Sequence, residues 1–242
     1  MCRVENYIAI DIETTGLTPK TDRIIEIGAV RVRSGEIVEK RNWLINPKCK
    51  IPEFVVELTG ISDEMVCEAP TIDEVMPEFI DFCDEEVIIG HHIITDFSFL
   101  KRNAVNLGMT FEKKAIDTLR LARIILAELE RKNLAFLCGE LSLIDNMSAH
   151  RAMDDAVATI ALYNYMWEHI GENEEYRKLF VPLPLRYVVK KESPATAVQK
   201  KNLRNLLNYH GLSLDIDIDS LTKNEASRHI DNIIKERGRI PK

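Results

Sequence analysis

Two acidic residues near the N-terminus could bind a metal ion together. Asp11 and Glu13 lie at the end of an alternating segment, residues 6–12, whose pattern predicts a β-strand. Side chains two positions apart on a strand point to the same face, so the two carboxylates are expected side by side. Such acids repel each other unless a cation joins them, and carboxylate oxygens suit Mg²⁺ or Mn²⁺. The alternative is a solvated strand end with ordinary surface acids.

A second candidate acid follows a short apolar strand, residues 87–90. The strand leads into His91 and His92, and a helix is predicted to begin near Asp96. An aspartate at a helix start usually caps the helix or complements its dipole, which is the alternative to a chemical role.

A third candidate segment pairs a histidine with an acid. His150 opens a long predicted helix, and either Asp154 or Asp155 lies one turn inside it beside small alanines. The alanines predict close packing against a sheet, where a carboxylate without a partner is costly. A single histidine at a helix start is more often solvated, but the combination is a candidate site.

The elements that must position these residues alternate between strands and helices. Residues 23–32 and 36–45 predict a hairpin around Ser34-Gly35, and residues 115–118 predict a further strand. Helices are predicted within residues 52–82 and over residues 96–107, 119–130, 134–141 and 150–170. This order predicts an α/β domain with a mixed sheet, in which the middle strand of the N-terminal group is antiparallel to its neighbours.

Charge divides the chain into two parts. The 242 residues carry a net charge of −7, but residues 177–242 carry +7 and residues 1–176 carry −14. A proline-containing basic stretch separates the α/β part from two amphipathic helices. We expect a domain over residues 1–175, a linker over residues 176–193 and a small helical module over residues 194–242. Residues 186–242 are expected to attract phosphates or to dock a partner, and the alternative is a solvated two-helix packing unit. The basic candidates are Lys190, Lys191, Lys200, Lys201 and Arg204.

Composition excludes several classes of protein. No run of about 18 apolar residues could span a membrane, and the N-terminus does not look like a secretion signal. The five cysteines are scattered, without a zinc-binding spacing, which is typical of reduced thiols in the cytoplasm. We therefore expect a cytoplasmic protein without membrane contact.

Three segments, in this order, resemble the motifs of the DEDDh family of 3′→5′ exonucleases. This DnaQ-like family includes the proofreading epsilon subunit and the exonuclease domain of PolC-type bacterial polymerases. The segments are DIETTGL (11–17), GHHIITDFSFL (90–100) and HRAMDDAVAT (150–159). The resemblance covers roughly residues 5–172 and implies a ribonuclease H-like fold, with a mixed five-stranded sheet flanked by helices. His92 and Thr95 depart from the family pattern, where asparagine and an aromatic residue are common.

The resemblance also implies roles for individual residues. Asp11, Glu13, Asp96 and Asp155 become metal ligands and, with His150, catalytic residues. The third motif places its histidine five residues before its aspartate, which selects Asp155 rather than Asp154. The implied pocket for the terminal nucleotide consists of Thr14, Thr15, Leu17, Thr59 and Phe97.

The implied activity is metal-dependent hydrolysis of phosphodiester bonds at the 3′ end of DNA, with single-stranded or frayed ends favoured. Two Mg²⁺ or Mn²⁺ ions about 3.5–4 Å apart can offset the charge on the attacking and leaving oxygens. His150 is the expected general base, since histidine ordinarily titrates near pH 6.5, or about neutrality. A polymerase is too large for this chain, so proofreading is expected to need a DNA polymerase partner.

Two alternatives remain open. The same fold and acids serve an RNA or oligoribonucleotide exonuclease, because the contact to the 2′-hydroxyl cannot be read from sequence. The chain could also be a catalytically silent binding subunit of a polymerase assembly. The complete set of four acids and His150 argues against the silent subunit.

Overall fold

The computed structural model of the chain describes residues 3–144, 150–170 and 173–240. Within these ranges a six-stranded mixed sheet has the strand order β3-β2-β1-β4-β5-β6. Its strands are β1 (Tyr7–Thr14), β2 (Ile24–Arg33), β3 (Glu36–Leu44), β4 (Ile88–Gly90), β5 (Lys114–Asp117) and β6 (Leu183–Pro184). The helices are α1 (Glu53–Thr59), α2 (Asp63–Val66), α3 (Ile72–Cys83), α4 (Ile94–Leu107), α5 (Thr118–Ile125), α6 (Leu134–Glu140), α7 (Ala152–Ile170), α8 (Glu174–Arg177), α9 (Ala197–His210) and α10 (Lys223–Arg237).

The sheet confirms the predicted mixed topology. β2 is antiparallel to both β1 and β3, whereas β1, β4 and β5 run parallel. The turn between β2 and β3 has Ser34 and Gly35 at positive φ, 50° and 81°, as a tight hairpin requires. Because β1, β4 and β5 are parallel, their C-terminal ends, which carry polar residues, meet at one edge of the sheet.

Alternation along β1 gives the sheet two apolar faces. Tyr7 and Ala9 face a cluster formed with α5, α6 and α7. Ile8 and Ile10 face a second cluster formed with α3 and α4. The sheet is therefore covered by helices on both sides, and Asp11 and Glu13 continue the face that packs against α7.

One strand was not predicted. β6 pairs antiparallel with β5 through Lys114–Pro184 and Ala115–Leu183, so the sheet has six strands rather than five. It lies inside the segment expected to be a linker. A strand of two residues leaves little alternating pattern, and the prolines on both sides of Leu183 argue against a strand. In the same segment Phe180 is only 3% exposed and packs against Tyr163, so this part of the chain follows the domain surface.

The C-terminal module has its own apolar core. α9 and α10 pack through leucine and isoleucine side chains: Leu203, Leu206, Leu207, Leu221, Ile230 and Ile233. Both helices begin with a capping box, at Thr196 and Thr222, and α9 ends at Gly211 in the left-handed conformation. No helix in the described ranges combines the length and the apolar character that crossing a lipid bilayer requires.

Candidate active site

The first two acids lie where β1 leaves the core. Asp11 and Glu13 are half-buried. Ile10, which points to the opposite face of the sheet, is fully buried. Asp11 lies opposite Gly28 of β2, and Glu13 lies opposite Glu26. The register with β2 shifts just after Glu13, and the irregularity lies directly beyond the two carboxylates.

Asp96 reaches the same place from α4. The helix begins at Ile94, two residues earlier than predicted, so Asp96 lies in its first turn and does not cap it. The side chain is 7% exposed, and its Oδ1 accepts a hydrogen bond of 3.2 Å from the backbone N–H of Ile12. This bond places the Asp96 carboxylate beside the strand residue that separates Asp11 from Glu13.

The third motif approaches from the N-terminus of α7. The helix begins at Ala152, so His150 precedes it instead of opening it, with φ at 69°. The backbone N–H of His150 donates a 3.1 Å hydrogen bond to Asp155 Oδ2. One potential ligand atom from each of Glu13, His150 and Asp155 lies within 4.8 Å of the others. Asp154, the other acid considered, is exposed on the outer side of the helix.

Two features of β2 let α7 come this close. A Cβ at Gly28 would lie 2.3 Å from the backbone carbon of Ala152, so only glycine permits the approach. Glu26, which is fully buried, accepts a 2.9 Å hydrogen bond from the Ala152 N–H and pairs with Arg151 at 2.6 Å. Glu26 thereby satisfies an unpaired amide at the helix start and holds the helix against the strand.

The pKa values of all four acids are raised. Burial is the largest cause for each, and repulsion from neighbouring carboxylates adds to it. The pKa of Glu13 rises to about 8, that of Asp96 to about 7 and that of Asp155 to about 6. The pKa of Asp11 rises well above its usual value, through burial and then the charges of Asp96, Asp155 and Glu13. The cluster therefore holds more negative charge than its surroundings stabilise.

This charge fits a bound cation. Among the ion pairs of the described residues, none joins Lys or Arg to Asp11, Glu13, Asp96 or Asp155. Carboxylate oxygens with one imidazole nitrogen form a ligand set for a hard divalent ion. A possible metal-binding group is thus present, and its members come from β1 and the start of α7, with Asp96 of α4 beside them.

The loop after β1 carries three of the predicted pocket residues. Thr14 Oγ1 donates a hydrogen bond of 2.6 Å to the Gly16 carbonyl, and Thr15 is buried with its Oγ1 accepting from the Arg23 N–H at 2.9 Å. Leu17, by contrast, is 88% exposed. The Leu17 side chain lies four residues after Glu13 and is free of protein contacts over most of its surface, so it is available to contact a ligand.

The other two predicted pocket residues are placed differently. Phe97 is fully buried and stacks on Phe111 at 5.8 Å, so its ring belongs to the core and has no surface to offer a nucleotide. Thr59 is 5% exposed, and its hydroxyl donates to the Val55 carbonyl and accepts from the Ile61 N–H. Neither side chain is open to a ligand in this structure, and their place in the pocket stays a prediction from the resemblance.

The departures at His92 and Thr95 compensate for each other. The Thr95 hydroxyl lies 3.1 Å from His92 Nδ1, and the His92 N–H donates to Asp117 Oδ1, the cap of α5. His92 is exposed and has φ at 70°, in the left-handed region, which histidine adopts more often than most residues. The pair closes the turn between β4 and α4 that delivers Asp96.

Sequence reasoning missed Glu26, Arg151 and Gly28. Glu26 and Gly28 lie in the predicted strand RIIEIGAV, where an acid and a glycine interrupt an otherwise apolar run. A charged residue in a buried strand needs a partner, and a glycine there often marks a close approach of another backbone. Glu26 and Gly28 therefore indicate that another segment packs on β2, but the sequence does not show that this segment is the start of α7.

Comparison with known proteins agrees with this geometry. The model of the RNase_T family, described as an exonuclease family, matches residues 8–163. DNA polymerase III PolC-type of Clostridium perfringens is 35% identical over 216 residues, which cover 84% of this chain but 15% of that protein. The DNA polymerase III subunit epsilon of Aquifex aeolicus is 33% identical over 175 residues, which cover 70% of this chain and 86% of that protein.

Solved structures share the fold. An exonuclease X bound to 5′ overhanging duplex DNA superimposes with a TM-score of 0.57 at 24% identity, covering 72% of this chain and 99% of that one. The nuclease domain of 3′hExo, a DEDDh family member bound to rAMP, gives a TM-score of 0.58 at 19% identity and covers 68% of this chain and 92% of that one. At these identities the likeness concerns the fold, and it matches the predicted ribonuclease H-like architecture.

Proposed function

Because the chain belongs to the RNase_T exonuclease family, we propose that it is a metal-dependent 3′→5′ exonuclease acting on DNA. Membership confirms the resemblance read from the three motifs. The single observation that carries the proposal is the convergence of Glu13, His150 and Asp155 ligand atoms within 4.8 Å. Asp11 lies close enough for Asp155 and Glu13 to raise its pKa, and Asp96 lies close enough to raise the pKa of Glu13.

We assign metal binding to Asp11, Glu13, Asp96 and Asp155, and the ions to Mg²⁺ or Mn²⁺, two per site. Hard oxygen ligands support this choice of ion. When bound, such ions offset the negative charge that develops during attack on a phosphodiester. Metal dependence belongs to the family chemistry, whereas the kind and number of ions are part of the proposal.

His150 is the proposed general base, and Asp155 orients it. The hydrogen bond from the His150 N–H to Asp155 Oδ2 fixes the histidine backbone at one end of α7. The imidazole is exposed, so it can accept a proton from a water molecule that attacks the terminal phosphate. Since the same carboxylate belongs to the acid cluster, one short segment holds both the base and one of the four proposed metal ligands.

The terminal nucleotide is proposed to bind at the loop after β1. Leu17 supplies an apolar surface for the last base, while Thr14 and Thr15 shape the loop beneath it through their own hydrogen bonds. A pocket that accepts one chain end makes cleavage exonucleolytic. Mononucleotides are then released stepwise from the 3′ end.

DNA is the favoured polymer, and a DNA polymerase is the favoured partner. Both relatives named above are parts of DNA polymerase III, although the chain spans 15% of the PolC-type protein. The proposed setting is the cytoplasm, since the four described cysteines are free thiols, as in reducing compartments.

The test is shortening of a 5′-labelled oligonucleotide in the presence of Mg²⁺ or Mn²⁺. We expect a ladder of products differing by one nucleotide, with no shortening in EDTA or by the Asp11→Ala variant. Comparing the cleavage rates of single-stranded DNA and RNA, and of primers with a matched or a mismatched 3′ end, determines the substrate class. Faster cutting of RNA would overturn the DNA assignment, and inactivity on every polymer with both metals would indicate a silent binding subunit.

A further inference from the structure

A glutamate of the C-terminal module contacts the chain next to the candidate active site. Glu225 Oε1 lies 2.7 Å from Nη2 of Arg23, and Glu225 is only 6% exposed. Its other oxygen, Oε2, accepts hydrogen bonds from the N–H and hydroxyl of Thr222, the cap of α10. One carboxylate therefore both caps the helix and holds an arginine of the other domain.

Arg23 closes the loop that carries Leu17. The Thr15 N–H donates to the Arg23 carbonyl at 2.8 Å, and the Arg23 N–H donates to Thr15 Oγ1 at 2.9 Å. These two bonds join the ends of the segment between β1 and β2, which we call the 15–23 loop. Within it, the Thr18 N–H donates to Asp22 Oδ2 at 2.7 Å. The position of Leu17 thus depends on where the backbone of Arg23 lies.

We propose that Glu225 is a positioning residue for the 15–23 loop, acting through Arg23 on Thr15 and Leu17. The inference rests on the proposed function, because it assumes that this loop binds the terminal nucleotide. It assigns the module a part in shaping the site, beyond being an appended unit. Losing the ion pair should loosen the loop and weaken nucleotide binding, while the metal-binding acids stay in place.

Other contacts keep the module docked, so the effect of Glu225 should be local. The Lys50 N–H donates to the Asp215 carbonyl at 2.8 Å, and the Asp217 N–H donates to the Lys48 carbonyl at 3.0 Å. On another side, Glu192 Oε2 lies 2.7 Å from Nη2 of Arg102, and both side chains are largely buried. The module would remain attached without the charge of Glu225.

The rival role for the module, attraction of phosphates by its basic residues, is weakened by the ion pairs it contains. Asp219 Oδ2 lies 2.8 Å from Arg204 Nη2, and its Oδ1 lies 3.4 Å from Lys200 Nζ. Two of the five basic candidates are therefore partly neutralised within the module. A contact with the loop is the more direct way for the module to affect the site.

The test compares Glu225→Gln with a matched control, Glu192→Gln, in the full chain. Glutamine can also complete a capping box, so Glu225→Gln removes the ion pair while keeping the helix cap. Glu192→Gln breaks an ion pair between the linker and α4, next to the hydrogen bond that Glu192 accepts from Asn224 of α10, and does not touch the loop. Arg23→Gln removes the same ion pair by changing its other partner. Agreement between the two variants excludes a folding defect that affects only one of them.

Two readouts are needed, and the first is independent of activity. Hydrogen exchange measured by mass spectrometry on peptides covering residues 14–23 should become about threefold to tenfold faster in Glu225→Gln and Arg23→Gln. The KM for single-stranded DNA should rise by a similar factor of about three to ten, with kcat nearly unchanged. The double variant should show no further increase, since both changes remove one interaction. Glu192→Gln should leave both quantities at the wild-type level.

The outcomes separate the two proposals. Unchanged exchange in the 15–23 loop of Glu225→Gln overturns the positioning role, whatever the activity. Equal effects of Glu225→Gln and Glu192→Gln on exchange and KM also overturn it, because docking alone would then explain them. Faster loop exchange in Glu225→Gln than in the wild type, together with a wild type that cuts no polymer, would support the loop contact and remove the exonuclease proposal.

Discussion

Glu26 and Arg151 form an ion pair at the edge of the acid cluster, with Arg151 Nη2 2.6 Å from Glu26 Oε1. Burial raises the pKa of Glu26, but hydrogen bonds from Arg151, Asn42 and the Ala152 N–H outweigh it and hold the pKa below its usual value. Glu26 therefore stays ionised beside four acids whose pKa values are raised. The pair ties β2 to the start of α7, which carries Asp155.

We predict that Glu26→Gln lowers activity more than its loss of stability explains. The neutral amide holds Arg151 and the Ala152 N–H less strongly, and a shift of about 1 Å in a catalytic group can cost about a hundredfold in rate. The free energy of unfolding should fall by about 1–3 kcal/mol. Kinetics on labelled DNA and urea denaturation measure the two effects. The control is Glu39→Gln, which removes a pairing with Arg31 elsewhere on the sheet; equal losses of activity in both variants would contradict the assignment.

We predict that Gly28→Ala impairs both stability and activity. The added Cβ would lie 2.3–2.4 Å from backbone atoms of Ala152 and Met153, so the start of α7 must move. Overpacking of this kind costs about 1–3 kcal/mol. Gly139→Ala is the matched control, because a Cβ there meets nothing within 4 Å and lies in α6. It should stabilise the chain by up to about 1 kcal/mol. Thermal unfolding and kcat together test the pair; a fully active Gly28→Ala variant would mean that α7 tolerates the shift.

We predict opposite effects of Asp11→Asn on activity and on metal-free stability. Activity should fall by at least about a hundredfold, since a metal ligand is lost. In EDTA, however, the melting temperature should rise, because one of four mutually repelling carboxylates is gone. Asp154→Asn, next to Asp155 on the exposed side of α7, is the control and should retain activity within about threefold. A melting temperature in EDTA that falls in Asp11→Asn would contradict the repulsion described for the cluster.

Sequence patterns predicted the fold class for a physical reason, whereas the convergence of the three motifs was implied by the family resemblance. The alternation in β1 and the apolar run of β4 are local properties, so the side on which Asp11 and Glu13 lie follows from strand geometry alone. The selection of Asp155 required the resemblance, because both Asp154 and Asp155 satisfy the local pattern. The contacts of Glu26 with Arg151 and of Arg23 with Glu225 join residues 125 and 202 positions apart, and no local periodicity encodes such pairs. The pattern of α4 alone does not separate a core aromatic residue such as Phe97 from an accessible one.

We predict that the metal-free chain loses stability as pH rises from about 4 to about 8. The pKa values of Glu13, Asp96 and Asp155 rise from 4.5, 3.8 and 3.8 to about 8, 7 and 6 on folding. Between these limits the folded chain binds more protons than the unfolded chain, so the free energy of unfolding falls with increasing pH. The loss starts as the unfolded carboxyl groups ionise and continues at least until Glu13 ionises in the folded chain.

Metal should reverse this dependence, because the ligands must be deprotonated to bind it. The rise in melting temperature on adding Mg²⁺ or Mn²⁺ should therefore be larger at pH 8 than at pH 5.5, as measured by thermal unfolding in EDTA and in each metal. Glu13→Gln provides the reference. The difference in melting temperature between wild type and this variant separates the effect of Glu13 from that of other titrating groups. In EDTA, the melting temperatures of wild type and Glu13→Gln could change with pH in the same way between about pH 4 and pH 8. That result would show that Glu13 does not titrate differently in the folded chain. A metal-induced rise equal at both pH values would place the bound ions away from these carboxylates.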